Sequence, residues 1–588
     1  MRVYFIFFIT LVPLLVNGAV VKELHFKTHG KFEDAKLCDS LGVKTRAWYQ
    51  FWKDKTPKIN AKLIPSFEDS LEHFYKSEGF YHVNIQKDET NSSVTFKVDE
   101  GKNVIISSIK ITGDDELKKF ITYKVGDRFR ALEFTQIKKD IKNKLLNKGY
   151  CNYQLKSKAR VDIEKDIVNI IYDLHKNPPC EFGKITISTP KNINKKIILS
   201  RLLFKEGDRY SLEKINRTYH MISGLEAFDG VELNFDQQND KINTGISLIE
   251  RSKKTRIEMG LGYETDIGPR GVLHYERRNF AGNAKKISLD FKYSNKEKFI
   301  KNSLYWPAFI KVPFKGYHYL DLKNEFGYSK IEFDNFDEKK LSNSLHLIKD
   351  YDWYSVDFGI GYERINIKKP MDTCSVSSQD FNPNSPLENL NKNYNLLFPF
   401  AKLHIDLRDS KINPKNGFYF SQFLETGVDI LSNSSTYLKA LTEARAIKTI
   451  GLFTYAIKGR VGVIKEYANH LPESKLFFAG GAFSNRGYSY NTIGASNSKC
   501  KNSGGKTLVD TSIEINHPVY KKFDAALFFD STLISKNPLE FSLDFRHSIG
   551  TGIRYNSAIG PVKLDVGMDI ERHSQYAISF QIGQSFWS

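Results

Sequence analysis

Residues 354–363, Tyr354-Ser-Val-Asp-Phe-Gly-Ile-Gly-Tyr-Glu363, decide the fold of this 588-residue chain. Aromatic and aliphatic side chains occupy nearly every second position, and small or charged residues stand between them. Successive side chains of a strand point to opposite faces, so this period of two predicts a strand with one apolar and one polar face. The same alternation returns at 453–463 and 562–570, and we count about sixteen such segments after Arg256.

In a soluble protein this alternation would form half of a sandwich, but two features favour a membrane barrel. The polar face is rich in Gly and charged residues, which suits a wet lumen. The connections alternate between short ones (281–284, 449–451, 557–561) and long ones (368–392, 465–505), like the turns and surface loops of such barrels. An even strand number closes the sheet without a free edge. We therefore predict a transmembrane β-barrel of about 16 antiparallel strands over residues 253–588.

The region before the barrel predicts three small α+β repeats, over residues 20–100, 101–178 and 179–252. The second and third share a Gly-Asp-Arg-aromatic turn that starts at Gly126 and at Gly207. Each repeat would expose a sheet edge, which is a template for another chain's strand, and a spacer arm is the alternative interpretation. The second repeat has 17 Lys and Arg against 10 Asp and Glu, which fits either an acidic partner or a solvated face.

The N-terminus predicts export. Residues 1–19 combine a positive start, a short apolar core and small residues near position 19, which is the pattern of a secretory signal peptide. After residue 20 no apolar stretch approaches the ~18–20 residues that a membrane-spanning helix needs, so a polytopic helical membrane protein is excluded. Export also separates the chain from cytosolic DNA, so its net charge of +19 does not imply nucleic acid as a partner.

The sequence predicts no enzyme. It contains neither His-Glu-x-x-His nor Cys-x-x-Cys, and we find no catalytic constellation, no metal site and no cofactor motif. The five cysteines permit disulfides in an exported chain. By strand parity Cys374 and Cys500 both lie in loops on the outer side, so we expect a disulfide between them. Cys38, Cys151 and Cys180 lie in the repeats, and the sequence does not indicate how they pair.

Four motifs resemble a known superfamily of outer-membrane barrels with periplasmic POTRA repeats, which insert or secrete other proteins. They are Phe478-Ala-Gly-Gly-Ala-Phe-Ser-Asn-Arg-Gly-Tyr488, Asp406-Leu-Arg-Asp409 with Pro414 and Gly417, Phe528-Phe-Asp530, and the hairpin from Gly552 to Asp565. Within the superfamily, residues 260–271 and the three repeats are similar to TamA, the outer-membrane subunit of the translocation and assembly module. One residue departs from the pattern, because Asn485 stands where the loop motif usually has Val or Ile.

The resemblance implies that the loop motif, with Gly480, Gly481, Arg486, Gly487 and Tyr488, folds back into the lumen. There Arg486 would pair with acids on the barrel wall, Asp530 first and Asp565 second. It also implies a lateral gate between the first and last strands. The gate residues are Gly260, Gly262 and Tyr263 on one side and Phe580, Ile582, Gly583 and Phe586 on the other. The glycines would weaken pairing there, and an incoming strand could add to the opened edge.

By the same resemblance the protein is expected in the bacterial outer membrane with its repeats in the periplasm. Its partners would be unfolded outer-membrane client proteins such as autotransporters, outer-membrane lipid, and an inner-membrane-anchored TamB-like protein that spans the periplasm. The alternative function is a two-partner secretion transporter that exports one dedicated substrate. A passive channel or receptor ranks last, because it needs neither the repeats nor the Arg486 motif.

Overall fold

The computed structural model describes residues 21–28, 30–46, 54, 56–264, 267–313, 319–333, 336–368, 391–411, 413–431, 436–468, 471–497, 500–520, 522–557, 560–571 and 576–582. The predicted signal peptide, Cys374, Gly583 and Phe586 lie outside the described residues, as do the side chains of Cys500 and Ile582. The expected Cys374–Cys500 disulfide therefore stays a prediction.

The described chain before the barrel contains ten strands and five α-helices. The strands are β1 (Val21–Thr28), β2 (Lys58–Asn60), β3 (Asn84–Glu89), β4 (Ser93–Asp99), β5 (Ile105–Thr112), β6 (Tyr153–Asp162), β7 (Ile167–Lys176), β8 (Glu181–Ser188), β9 (Phe228–Gln238) and β10 (Lys241–Glu250). The helices are α1 (Asp34–Ser40), α2 (Ile64–Ser77), α3 (Ala131–Asn147), α4 (Lys195–Leu199) and α5 (Leu212–Ser223). Among the described helices, none combines the length and apolar character needed to cross a membrane.

These elements form three α+β repeats, as the fold prediction required. Their sheets have the strand orders β2-β1-β4-β3, β5-β7-β6 and β8-β10-β9, and β1 runs parallel to β4 as β5 does to β7. Helix α2 shows why they fold, since Ile64, Phe67, Leu71 and Tyr75 lie on one face at helical spacing and are buried against the sheet. The first repeat has a fourth strand, β2, and the second has a 3-10 turn over Asp115–Lys119 before α3.

The Gly-Asp-Arg turns have a packing role that the sequence did not indicate. The Arg128 guanidinium lies 5.2 Å from the centroid of the Phe80 ring, and its Nη2 donates to Glu78 Oε2 at 2.9 Å. In the same way Arg209 lies 5.5 Å from the centroid of the Tyr150 ring. Each turn therefore presents its arginine to the aromatic residue that follows the long helix of the preceding repeat.

One disulfide lies among the described residues. Cys151, just before β6, bonds to Cys180, just before β8, with their Cα atoms 5.8 Å apart. Cys38 on α1 is buried and free. The sequence left the pairing of the three repeat cysteines open, and the structure pairs Cys151 with Cys180.

Sixteen of the remaining described strands close into an antiparallel barrel, which confirms the predicted fold class. They are β11 (Thr255–Glu264), β12 (Gly268–Arg277), β13 (Lys286–Tyr293), β14 (Glu297–Lys311), β15 (Tyr319–Glu332), β16 (Asp337–Asp350), β17 (Tyr354–Lys368), β18 (Asn391–Asp406), β19 (Asn416–Asp429), β20 (Thr436–Ile450), β21 (Phe453–Ala468), β24 (Thr507–Tyr520), β25 (Phe523–Ser535), β26 (Arg546–Ser557), β27 (Gly560–Asp569) and β28 (Tyr576–Ile582). Two short strands, β22 (Ala495–Asn497) and β23 (Cys500–Ser503), form a separate hairpin in the loop between β21 and β24.

The alternating side chains are divided between outside and lumen as expected for a barrel in lipid. On β17 the apolar Phe358 and Ile360 are 56 % and 47 % exposed, whereas Asp357, next to Phe358, is only 9 % exposed. On β27 Lys563, Asp565 and Asp569 are likewise buried and face inward. The apolar face therefore points outward and the polar face lines the lumen.

The third repeat contacts the barrel through a buried ion pair. Nη2 of Arg201, which follows α4, lies 2.6 Å from Asp321 Oδ2 on β15, and both side chains are almost fully buried. The Tyr305 hydroxyl and the Ala308 amide also donate to Asp321, at 2.5 Å and 2.8 Å. Because this carboxylate is surrounded by donors, the pair fixes the repeat against the first half of the barrel.

Candidate functional site

The candidate site is built on the long loop between β21 and β24, residues 469–506, which we call the sixth loop. Its stem, residues 471–479, pairs backbone groups with its return segment, since Phe477 and Gly505 exchange hydrogen bonds at 2.8 Å and 2.9 Å. Its tip, residues 480–488, begins with Gly480 and Gly481 at φ +104° and +91°, where a side chain would be strained. A Cβ on Gly480 would stand 2.2 Å from the Ser489 carbonyl oxygen. The two glycines therefore permit the sharp turn that sends the tip into the lumen.

Arg486 lies at the centre of the tip and is 3 % exposed. Its Nε and Nη2 donate to the two carboxylate oxygens of Asp530 on β25, both at 2.9 Å, and its backbone N–H donates to Asp530 Oδ2 at 2.9 Å. Nη1 donates to Glu514 Oε2 on β24 at 2.5 Å. The guanidinium also lies over the Phe528 ring, 3.5 Å from its centroid. This is the forked, stacked arrangement in which arginine holds a buried carboxylate most strongly.

The acids around Arg486 differ in part from the two that the sequence singled out. Asp565 lies farther away, with its Oδ2 at 4.0 Å from Arg486 Nη1, and its closer partner is Arg554 at 2.5 Å. Glu514 takes the place of the second partner and also receives Arg554 Nη2 at 3.2 Å. A signal for Glu514 was present, because Asp510, Ser512, Glu514 and Asn516 alternate with the β-branched residues Val509, Thr511, Ile513 and Ile515 along β24 and mark its inward face.

Asn485, which departs from the family pattern, is fully buried and hydrogen-bonded. Its Oδ1 accepts from the Ser548 hydroxyl on β26 at 2.6 Å, and its Nδ2 donates to the Arg546 carbonyl oxygen at 3.0 Å. The Gly487 N–H donates to the same hydroxyl at 3.2 Å. The amide therefore adds contacts to the wall that an aliphatic side chain could not make.

The remaining motif residues shape the approach of the tip to the wall. A Cβ on Gly567 of β27 would stand 2.4 Å from the Arg486 carbonyl oxygen, and one on Gly487 would stand 2.3 Å from Ser548 Cβ. Both glycines thus allow two backbones to approach closely. The Tyr488 carbonyl oxygen accepts from the Gly481 N–H at 2.9 Å, which closes the tip on itself.

The tip also contacts the first strands of the barrel. Glu264, the last residue of β11, is 5 % exposed, and its Oε1 accepts from the Ala482 N–H at 2.9 Å. The Arg270 guanidinium of β12 lies 5.2 Å from the centroid of the Phe483 ring. A single loop tip therefore contacts β11 and β12 on one side and β24 to β27 on the other.

Between those two groups of strands is the seam, which we define as the pairing of β11 with β28. The described residues give it three register pairs, Gly262 with Gln581, Tyr263 with Phe580 and Glu264 with Ser579. On their other edges β11 has ten register pairs with β12, and β28 has seven with β27. Gly260 pairs with Val272 of β12, and Ile582 pairs with Val562 of β27. The predicted gate residues that are described thus lie on the two strands where the barrel closes.

An apolar cluster packs within the barrel around the loop stem. Leu471, Phe477 and Ala479 of the stem are buried with wall residues that include Tyr394, Leu396, Phe398, Phe400, Ile464 and Leu508. Apolar contact of this kind stabilises the stem, and it fills lumen volume that a pore would leave open. In the part of the chain that the structure describes, no group of three or more His, Cys, Asp or Glu is placed to hold a metal ion.

A closed barrel of sixteen strands, preceded by α+β repeats and filled by a loop that a buried arginine holds, defines the class of outer-membrane barrels with POTRA repeats. Comparison with known proteins gives the family. The Omp85 superfamily domain matches residues 279–586, and the POTRA family, described as a surface antigen variable number repeat, matches residues 102–177. The chain belongs to the Omp85 superfamily.

Three proteins that are similar to this chain are all named BamA. The outer membrane protein assembly factor BamA of Nitratidesulfovibrio vulgaris is 22 % identical over 97 % of this chain and 74 % of its own length. BamA of Buchnera aphidicola is 21 % identical over 60 % of each chain. The crystal structure of Haemophilus ducreyi BamA lacking POTRA domains 1–3 covers 81 % of this chain and 99 % of its own, with a TM-score of 0.56 at 18 % identity. The last similarity is one of fold.

Proposed function

We propose that this chain assists the insertion of other β-barrel proteins into the bacterial outer membrane, with its repeats in the periplasm. Membership of the Omp85 superfamily supports the proposal, as does similarity over 97 % of the chain to a protein named outer membrane protein assembly factor. Its clients are unfolded outer-membrane proteins.

The observation that carries the proposal is the position of the loop tip at the seam. The tip holds β11 through Glu264 and the opposite side through Asp530, while the strands between them share three described register pairs. The loop tip thus spans the joint where the first and last strands of the barrel meet.

The physical mechanism follows from the hydrogen-bond requirement of lipid. A strand that enters the bilayer must pair its backbone groups, because each unpaired group there costs several kcal/mol. When the tip releases β11, the edges of β11 and β28 become templates on which an incoming strand completes its hydrogen bonds as it leaves water. Gly260 and Gly262 of β11 contribute no side-chain packing to hold the seam closed.

Within the superfamily we propose a TamA-like role, in which the clients include autotransporters. The three repeats and the sequence of residues 260–271, which lie in the first barrel hairpin, support this assignment. A TamB-like partner, anchored in the inner membrane and spanning the periplasm, would then engage the repeats. Their three described sheets offer edge strands to which a partner could add.

The insertion role is tested by reconstituting the purified chain into liposomes and adding urea-unfolded barrel clients. The readout is protease-resistant, heat-modifiable client in the membrane, and we expect faster insertion than into empty liposomes. Arg486→Ala should lose this acceleration, because it leaves Asp530 buried without its cation and Glu514 with Arg554 alone, a change that typically costs about 3–5 kcal/mol.

The matched control is Arg445→Ala. Arg445 on β20 pairs with Glu443 two residues away on its own strand, far from the loop tip in sequence, and should keep client insertion. Full activity and normal heat-modifiable folding of Arg486→Ala would contradict the role of the tip. No acceleration by the folded wild-type protein would contradict the insertion role and favour a dedicated secretion transporter.

A further inference from the structure

A second buried charge of the sixth loop lies eleven residues before Arg486, in the 3-10 turn Glu473–Lys475 of the stem. Lys475 is 8 % exposed, and its Nζ lies 2.9 Å from Glu363 Oε2 on β17 and 2.9 Å from Glu425 Oε1 on β19. None of these three residues belongs to the loop motif or to the seam.

The surroundings of this ammonium group are built from four neighbouring strands. The Tyr437 hydroxyl of β20 donates to the same Glu425 oxygen at 2.5 Å, and Lys439 Nζ of β20 donates to the Lys475 carbonyl oxygen at 2.8 Å. The Lys475 Nζ also lies 4.3 Å from the centroid of the Phe398 ring on β18. The stem is thus held by strands β17 to β20, whereas the tip is held by β11, β12 and β24 to β27.

The charge is needed in addition to the apolar packing of the stem. Burial of Leu471 and Phe477 stabilises the stem but does not select one orientation, because the hydrophobic effect is non-directional. An ammonium that must meet two buried carboxylates has few positions open to it, and the two carboxylates without it would lose the cation that contacts both. Lys475 therefore sets where along the wall the stem begins, and with it how far the tip reaches.

We propose that Lys475 is a second positioning residue of the sixth loop, which fixes the stem to β17 and β19 so that the Arg486 tip meets both sides of the seam. The proposal deepens the insertion role and rests on it for its functional consequence. Its structural part, the position of the tip, does not depend on client insertion.

The test compares Lys475→Met with the matched control Lys506→Met in the full-length protein. Lys506, at the other end of the same loop, pairs with Glu466 at 2.8 Å, and both side chains are more than a fifth exposed. Hydrogen exchange of the peptide covering residues 480–490 reads the tip directly, through the amides of Ala482, Arg486 and Gly487. We expect about tenfold faster exchange of this peptide in Lys475→Met, with barrel-strand peptides unchanged.

Client insertion into liposomes is measured on the same samples, and we expect it to fall in Lys475→Met and to persist in Lys506→Met. Wild-type exchange at 480–490 in Lys475→Met would overturn the proposal, as would equal effects of the two substitutions. If the wild-type protein does not accelerate insertion, the proposed function fails, while the exchange measurement still decides whether Lys475 positions the tip.

A charge-balanced variant covers the case in which Lys475→Met does not fold. Lys475→Met combined with Glu425→Gln removes one charge of each sign and leaves Glu363 for the neighbouring Lys439, so the barrel should again be heat-modifiable. The tip should still exchange faster than in wild type, because no ammonium of the stem then joins β17 to β19. A folded double variant with wild-type exchange at 480–490 would overturn the proposal.

Discussion

At Arg486 the protein buries one guanidinium beside the carboxylates of Asp530 and Glu514, and Arg554 brings a second cation to Glu514. Taking such groups out of water is expensive, and their attraction offsets the expense only when every hydrogen bond is made. Arg486 donates through Nε, both Nη atoms and its backbone N–H. The geometry of one residue therefore decides whether the loop tip can remain inside the lumen.

Asn485 gives a prediction at the same scale. Asn485→Val restores the residue type usual in the family motif but leaves the Ser548 hydroxyl and the Arg546 carbonyl oxygen without this partner. An unsatisfied buried polar group costs about 1–3 kcal/mol, so we expect a lower urea midpoint for the heat-modifiable barrel. Asn485→Asp and Asn485→Ala in the same assay separate lost hydrogen bonds from lost volume. A midpoint for Asn485→Val at or above the wild-type value would contradict the prediction.

Some residues of the site could be predicted from sequence and others could not. Gly480, Arg486 and Tyr488 form one contiguous motif, so a resemblance was enough to single them out. Glu514 was missed because several inward acids share its period-two pattern, and only the stagger of the strands decides which one meets Arg486. Glu264 was missed because 218 residues separate it from its partner Ala482, and no local pattern links the two.

At the scale of elements, β27 lies so close to the loop tip at Gly567 that no side chain would fit there. A Cβ added at position 567 would lie 2.4 Å to 2.8 Å from backbone atoms of Arg486 and Gly487, and backbone atoms cannot turn away as a side chain can. The sequence predicted these strands well, because alternation and turn spacing are local. It could not predict the inter-repeat contacts of Arg128 and Arg209, which join segments about 50 to 60 residues apart.

Gly567→Ala should displace the tip. Overpacking of a close contact costs about 1–3 kcal/mol, so we expect a smaller heat-modifiable fraction and a lower urea midpoint. Gly459→Ala on β21 is the matched control, because a Cβ there meets no atom within 4 Å. Equal midpoints for the two variants would show that the tip does not press against β27.

The disulfide between Cys151 and Cys180 gives a second prediction at this scale, and it concerns the repeats before the barrel. It closes a loop with a sequence separation of 29 residues, and removing such a bond costs about 3.6 kcal/mol by the chain-entropy estimate. Cys151→Ser, Cys180→Ser and the double variant should therefore lower the urea midpoint of the repeats by similar amounts. Additive losses in the double variant, or an unchanged midpoint, would contradict a bond between these two cysteines.

At the scale of the whole molecule, the barrel is a closed wall that one loop holds from within. The stem meets β17 to β20, and the tip meets the strands on both sides of the seam. The apolar cluster around the stem occupies lumen space, which agrees poorly with a passive channel. This arrangement supports the proposed opening of the seam more than conduction through the lumen.

The most direct test of seam opening is client insertion by a barrel whose seam is covalently closed. Tyr263→Cys with Phe580→Cys places two thiols on register partners across the seam, and Val566→Cys with Ile578→Cys does the same between β27 and β28. We expect the oxidised seam pair to lose client insertion into liposomes and to regain it on reduction, while the control pair inserts clients in both states. Undiminished insertion by the fully oxidised seam pair would contradict the proposal that clients enter through the seam.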